Sequence, residues 1–239
     1  MTSPARSASA WRGWKKSTLP VGNDVVDLRV PHNQPAALHP RFDRRVLADE
    51  ERALLAAASD TETRHRLRWT MWAAKESAFK YLRQTEPGLP FHPREFAVHL
   101  DSSTLGRVTH HGTELGVALD VTPARAHAVT IGAPGSGTDG SKAVAHTGTA
   151  RAQSPADASA EVRRLAAREV GRLLDVRPGL IEIDGSARSA PRAHRDGELL
   201  PVELSLSHDE AWLAWAVRRS GPSARWHRLD GAADARSGA

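Results

Sequence analysis

Residues 63–83 run without Gly or Pro, and Leu67, Met71, Ala74, Ala78 and Tyr81 recur at helical spacing. This predicts a helix with one apolar stripe. A second helical pattern covers residues 39–58, with Leu47, Leu54 and Leu55 on the buried side and a break near Ala48-Asp49. Residues 19–28, rich in β-branched side chains, read as a short strand carrying carboxylates, with Gly22 allowing another backbone to approach closely. After a loop at Pro87, Gly88 and Pro90 the period changes to two. Phe96, Val98 and Leu100 share one face, and strands are predicted near 106–110, 114–121 and 126–131, joined by short connections as an antiparallel meander on the helix.

The second half repeats this plan on a smaller scale. Residues 134–159 are rich in Gly, Ser, Thr, Ala and Asp and poor in apolar side chains, which predicts a linker. Val162, Leu165, Ala166, Val170, Leu173 and Leu174 then form a helical stripe, stopped by Pro178-Gly179. Strands are predicted at 180–183, 201–207 and 212–218. In the last two, Val202, Leu204 and Leu206, then Leu213, Trp215 and Val217, alternate, which predicts a hairpin turning at His208-Asp209-Glu210-Ala211. Residues 1–19 read as a flexible leader, despite Trp11 and Trp14, and 220–239 as a loose tail. The expected architecture is therefore α+β, with a lobe at 20–133, a linker at 134–159 and a second lobe at 160–219.

Composition narrows the chemistry. The 239 residues include no cysteine, so disulfides, thiolate ligands and cysteine nucleophiles are excluded. No apolar run approaches the roughly 18–20 residues of a membrane helix, and 1–19 lack a signal-peptide core, so a soluble cytoplasmic protein is expected. A net charge of +5 favours anionic partners: phosphates, an acidic protein or nucleic acid. Arg164, Arg168 and Arg172, four apart, give a basic face that is either solvated or a docking surface. Two other features carry little. Adjacent residues of a strand point to opposite faces, which argues against an ion shared by His110 and His111. The run from Gly135 to Lys142 lacks the Gly-Lys-Ser/Thr ending of a phosphate loop.

The chemistry-bearing residues lie in Trp72-Ala73-Ala74-Lys75-Glu76-Ser77-Ala78-Phe79-Lys80 and in Gly22-Asn23-Asp24-Val25-Val26-Asp27. Glu76 and Lys80 share a helix face and, taken alone, make an ordinary surface ion pair. On a strand, Asp24 and Asp27 point to opposite faces, so Asp24 is the better ligand, while Asp27 either joins it through a bend or supports the next segment. Together, G-x-D-x-x-[DE] and, about fifty residues later, W-x-x-K-E-[SA]-x-x-K resemble the signature of the 4'-phosphopantetheinyl transferases.

That resemblance implies a fold of two pseudo-symmetric lobes, each a helix packed on a small antiparallel sheet. It also implies an Mg²⁺-dependent monomeric enzyme that moves 4'-phosphopantetheine from coenzyme A, its substrate, to a serine of an acyl or peptidyl carrier protein, with no nucleic-acid or membrane partner. Asp24 and Glu76, with Asp27, become metal ligands. Lys80 stabilises the departing 3',5'-ADP, and Lys75 is a second phosphate contact. Glu76 takes the serine proton, and Glu51, at the family's supporting acid although a solvated face is as natural, orients the water. Leu204-Ser205-Leu206-Ser207-His208 resembles the family's Ser-His turn that contacts coenzyme A phosphates. It normally precedes the Gly-x-Asp strand, so the lobes here look circularly permuted. Two departures stand out. Asp209-Glu210-Ala211 replaces a glycine-containing turn and brings negative charge, and the basic residue of a Gly-Lys/Arg-Pro segment is missing, with Arg188 or Arg192 as substitutes. The alternatives are a basic module binding nucleic acid or an acidic protein, and an inactive relative that binds coenzyme A.

Overall fold

A computed structural model describes residues 20–133, 145–185 and 189–220. The leader, most of the tail, the Gly135–Lys142 run and Arg188 lie outside these residues. The first lobe begins with β1 (Gly22–Asp27), followed by α1 (Phe42–Val46), α2 (Asp49–Ala56) and α3 (Thr61–Thr85). Strands β2 (Ala97–Leu100), β3 (Leu105–His110), β4 (Thr113–Val121) and β5 (Arg125–Gly132) complete it. The second lobe comprises β6 (His146–Arg151), α4 (Ala158–Leu174), β7 (Glu182–Asp184), β8 (Arg192–Arg195), β9 (Glu198–Leu199), β10 (Val202–Asp209) and β11 (Trp212–Arg219).

The plan is the α+β one expected: one long helix on an antiparallel sheet in each lobe. The first sheet has the order β1-β5-β4-β3-β2, and the second β10-β11-β6, with a small β7-β8-β9 sheet beside it. In α3, Asp60 caps the start by accepting from Thr63 N at 2.7 Å. Burial of the helix extends beyond the stripe's Met71, Ala74 and Ala78 to Trp69, Ala73, Ser77 and Leu82. Gly22 is what brings β1 against it, since a Cβ there would stand 1.9 Å from the Ser77 carbonyl oxygen.

Two boundaries differ from expectation. His146–Arg151, expected within the linker, is a strand paired along β11. Its small residues have a packing reason, because a Cβ on Gly148 would meet the Trp215 ring at 2.3 Å. The hairpin turn is also shorter than expected. His208 and Asp209 still pair with Leu213 and Trp212, which leaves only Glu210-Ala211 to turn, with Glu210 at φ 45°.

The lobes meet edge to edge. Asn23, Val25 and Asp27 turn their N–H groups away from β5, and each is answered by a side chain of β10. Asn23 N donates to Ser205 Oγ at 2.9 Å, Val25 N to Ser207 Oγ at 3.3 Å, and Asp27 N to Asp209 Oδ2 at 2.8 Å. An exposed strand edge is thereby satisfied without continuing the sheet. Gln84 of α3 donates to Leu204 O at 2.9 Å, and Arg218 to Ile131 O at 2.7 Å, on the same seam.

Candidate functional site

A cleft of about 500 Å³ opens on this seam. Asp24 of β1 and Glu76 and Lys80 of α3 line one wall, Leu206 to Asp209 of β10 another, and Phe42, Trp69 and Trp72 a third. The aromatic wall is tightly built. Phe42 and Trp69 are 5.5 Å apart at their centroids, and Trp69 Nε1 donates to Asn33 O at 3.0 Å.

The charged group is asymmetric. Lys80 Nζ lies 2.6 Å from Asp24 Oδ1 and 3.6 Å from Glu76 Oε2. Ser207 Oγ donates to the same Asp24 oxygen at 2.8 Å. Burial and then the charge of Asp24 push Glu76 up to about 7, with Lys80 and Arg83 opposing. Burial works against the charge on Lys80, but Asp24 and Glu76 outweigh it and hold its pKa above the ordinary value. One ammonium therefore faces two carboxylates. The all-oxygen carboxylate pair fits a hard divalent cation that retains waters and takes phosphate oxygens. Asp24 and Glu76 are the residues that would hold it.

Of the residues expected at the site, Asp24, Glu76, Lys80, Ser207 and His208 are brought to this one cleft. Others are not. Lys75, expected to contact phosphate, is fully buried, and Nζ donates to Glu51 at 2.7 Å, Pro93 O at 3.0 Å and Phe96 O at 2.5 Å. Its rotation of about 100° from Glu76 along the helix turns it into the core, where burial lowers its pKa despite Glu51. Glu51 shares that interior. Its carboxylate accepts from Ala48 N and Val98 N, each at 2.7 Å, so it joins α2 to β2 and lies outside the cleft lining.

Asp27 is buried, lies outside the cleft lining, and accepts from Arg29 N at 2.9 Å. Arg192 opens β8, exposed and apart from the cleft. Asp209 does line it, but Oδ2 is held by Asp27 N and by Asn33 Nδ2 at 3.2 Å, and burial raises its pKa. The replaced turn thus serves the seam.

Phe42, Trp69 and Asn33 also line the cleft, though nothing in the motifs marks them. The aromatic spacing of Trp69 and Trp72 on α3 was the available signal. Strand alternation argues against joining His110 and His111. His111 in fact leaves the strand with φ 45°, and Gly112 follows at 80°, so their rings lie 4.2 Å apart. On α4, Arg164 and Arg172 are exposed but already face Glu161 and Glu169.

A search of curated proteins finds no match. Among solved structures, a holo-(acyl-carrier-protein) synthase from Bacillus anthracis, in complex with CoA (3',5'-ADP), is similar at 16% identity with a TM-score of 0.39, covering 47% of this chain and 94% of that one. An ACPS–CoA complex from Chronobacterium ammoniagenes gives 20% identity and a TM-score of 0.38, over 46% and 93%. A holo-[acyl-carrier-protein] synthase from Neisseria meningitidis gives 14% and 0.38, over 48% and 98%. The family model described as the 4'-phosphopantetheinyl transferase superfamily matches residues 20–132, the lobe that carries Asp24, Glu76 and Lys80. That lobe, a little under half of the chain, is the part that is similar to the 4'-phosphopantetheinyl transferase superfamily.

Proposed function

We propose that the cleft transfers 4'-phosphopantetheine from coenzyme A to a serine of an acyl or peptidyl carrier protein. The observation that carries this reading is the meeting of Asp24, Glu76 and Lys80 with Ser207 and His208 in one cleft on the lobe seam. Mg²⁺, when bound, neutralises the pyrophosphate oxygens and the charge that develops on them. Asp24 and Glu76 hold it. The carrier serine Oγ bonds to the β-phosphorus, the bond to the bridging oxygen breaks, and 3',5'-ADP leaves. Lys80 donates to the departing phosphate oxygen, and Glu76 takes the serine proton. His208, exposed at the rim, reaches the nucleotide phosphates, while the aromatic wall of Phe42, Trp69 and Trp72 excludes water beside the reacting atoms.

One chain supplies both walls, so the enzyme is a monomer, acting in the cytoplasm where coenzyme A meets apo carriers. The test is incubation with coenzyme A, Mg²⁺ and a panel of apo carrier proteins, read by intact mass. A gain of one phosphopantetheine is expected, lost with chelator or when the carrier serine is alanine. Binding of coenzyme A without any gain would instead make this an inactive relative. No binding of coenzyme A would leave the basic binding module.

A further inference from the structure

Away from the cleft, the tip of the β3–β4 hairpin meets the turn after α3. Here Glu95, His110 and His111 each offer one ligand atom, all within 4.8 Å of one another. His111 Nε2 stands 3.4 Å from Glu95 Oε2. A tetrahedral ion with bonds of about 2.0–2.1 Å sets its ligand atoms about 3.4 Å apart, so this pair is already at bridging distance.

The third donor is preorganised. The His110 ring stacks on Phe96 at 4.1 Å and 13°, and Nδ1 donates to Glu95 O at 3.3 Å. With that N–H committed to a backbone carbonyl, Nε2 carries the free lone pair, and it is buried without a hydrogen-bond partner. Beneath the cluster the backbone is pinned, because Lys75 Nζ donates to both Pro93 O and Phe96 O. Above it, His111 adopts a left-handed conformation that is mildly unfavourable for a residue with a Cβ, and this is what turns its ring toward His110.

We propose that Glu95, His110 and His111 form a second metal site, for a borderline transition ion of the Zn²⁺ class rather than Mg²⁺. Two imidazoles and one carboxylate are the donor set such ions prefer, and Mg²⁺ favours oxygen alone. With three protein ligands and an open rim at His111 and Glu95, the fourth position belongs to water. The ion clasps the hairpin tip to the 93–95 turn and stabilises the folded chain, since that arrangement of donors is lost on unfolding.

The test uses the full chain, purified without a histidine tag, titrated with Zn²⁺ in excess Mg²⁺ so that the oxygen site is saturated. One Zn²⁺ per chain is expected at micromolar concentration, with a rise in Tm, and Co²⁺ in its place should show the intense visible absorption of a tetrahedral N/O site. His111→Asn, which tolerates the left-handed conformation, and Glu95→Gln both change exposed side chains and preserve the fold. Each should weaken Zn²⁺ by at least about ten-fold, as even lost outer contacts do, and abolish the Tm rise. Two outcomes overturn the site: no Zn²⁺ bound by the unaltered chain, or binding unchanged in both variants, which would put the ion on other histidines.

Discussion

Ser207 Oγ donates to Asp24 Oδ1 at 2.8 Å across the lobe seam, and the same hydroxyl accepts from Val25 N. A residue of the second lobe therefore orients the first lobe's Asp24, the carboxylate proposed to hold the metal. Ser207→Ala should leave the lobes together, because Ser205, Asp209 and Gln84 still bridge them. The lost bond to a charged acceptor is worth about 1.5–3 kcal/mol. The Mg²⁺ concentration for half-maximal transfer should thus rise about ten-fold or more, with a smaller change in kcat at saturating Mg²⁺. An unchanged Mg²⁺ dependence would remove Ser207 from this role.

Gly22→Ala tests the approach of β1 to α3. Its Cβ would meet the Ser77 carbonyl oxygen at 1.9 Å and Tyr81 N at 2.7 Å, both backbone atoms that cannot rotate aside. Strand and helix must separate, at a cost of about 1–3 kcal/mol or more. Asp24 is two residues away, so its spacing to Glu76 and Lys80 changes with the strand. Expected are a lower Tm and, at temperatures where the variant stays folded, a large loss of transfer.

Much of this arrangement was legible because α3 and β1 depend on local pattern. The uninterrupted 63–83 run and the Gly22 close approach each follow from residue type and spacing. The rest depends on what lies across the fold. Ser205, Ser207 and Asp209 alternate with Leu204 and Leu206 as a half-exposed strand would, yet their polar face meets the β1 edge instead of water. Lys75 and Glu51 look like surface charges until each is seen to be the other's partner in the core. His146–Arg151 has no large apolar residue to mark it as a strand, and its Gly148 must lie under Trp215.

The Lys75–Glu51 pair should behave as architecture. Their side chains are 0% and 2% exposed. Removing one partner strands a buried charge, and Lys75→Ala should cost about 3–5 kcal/mol, seen as a sharply lower denaturation midpoint. The double change Lys75→Met with Glu51→Gln removes both charges and should recover part of that loss. Folded single variants should keep their affinity for coenzyme A. A selective loss of coenzyme A binding at full stability would return Lys75 to the phosphates.

Glu76 makes the metal-free protein sensitive to pH. Burial and the neighbouring Asp24 carboxylate raise it from 4.5 to about 7. The folded state therefore holds this proton more tightly than the unfolded chain. That contribution to stability is complete below about pH 4.5 and is lost as the pH rises through 7. Glu76→Gln stays neutral throughout, so it should match the parent near the low end of this window and melt several degrees higher above its upper end. Mg²⁺ acts in the opposite direction, since it binds the ionised carboxylate and restores stability where the proton has left. Melting curves of the parent and Glu76→Gln on either side of that window, with and without Mg²⁺, separate the two effects. Parallel profiles for the two proteins without Mg²⁺ would show that neither burial nor Asp24 raises Glu76 in the cleft. The carboxylate pair would then lose its claim to a divalent ion.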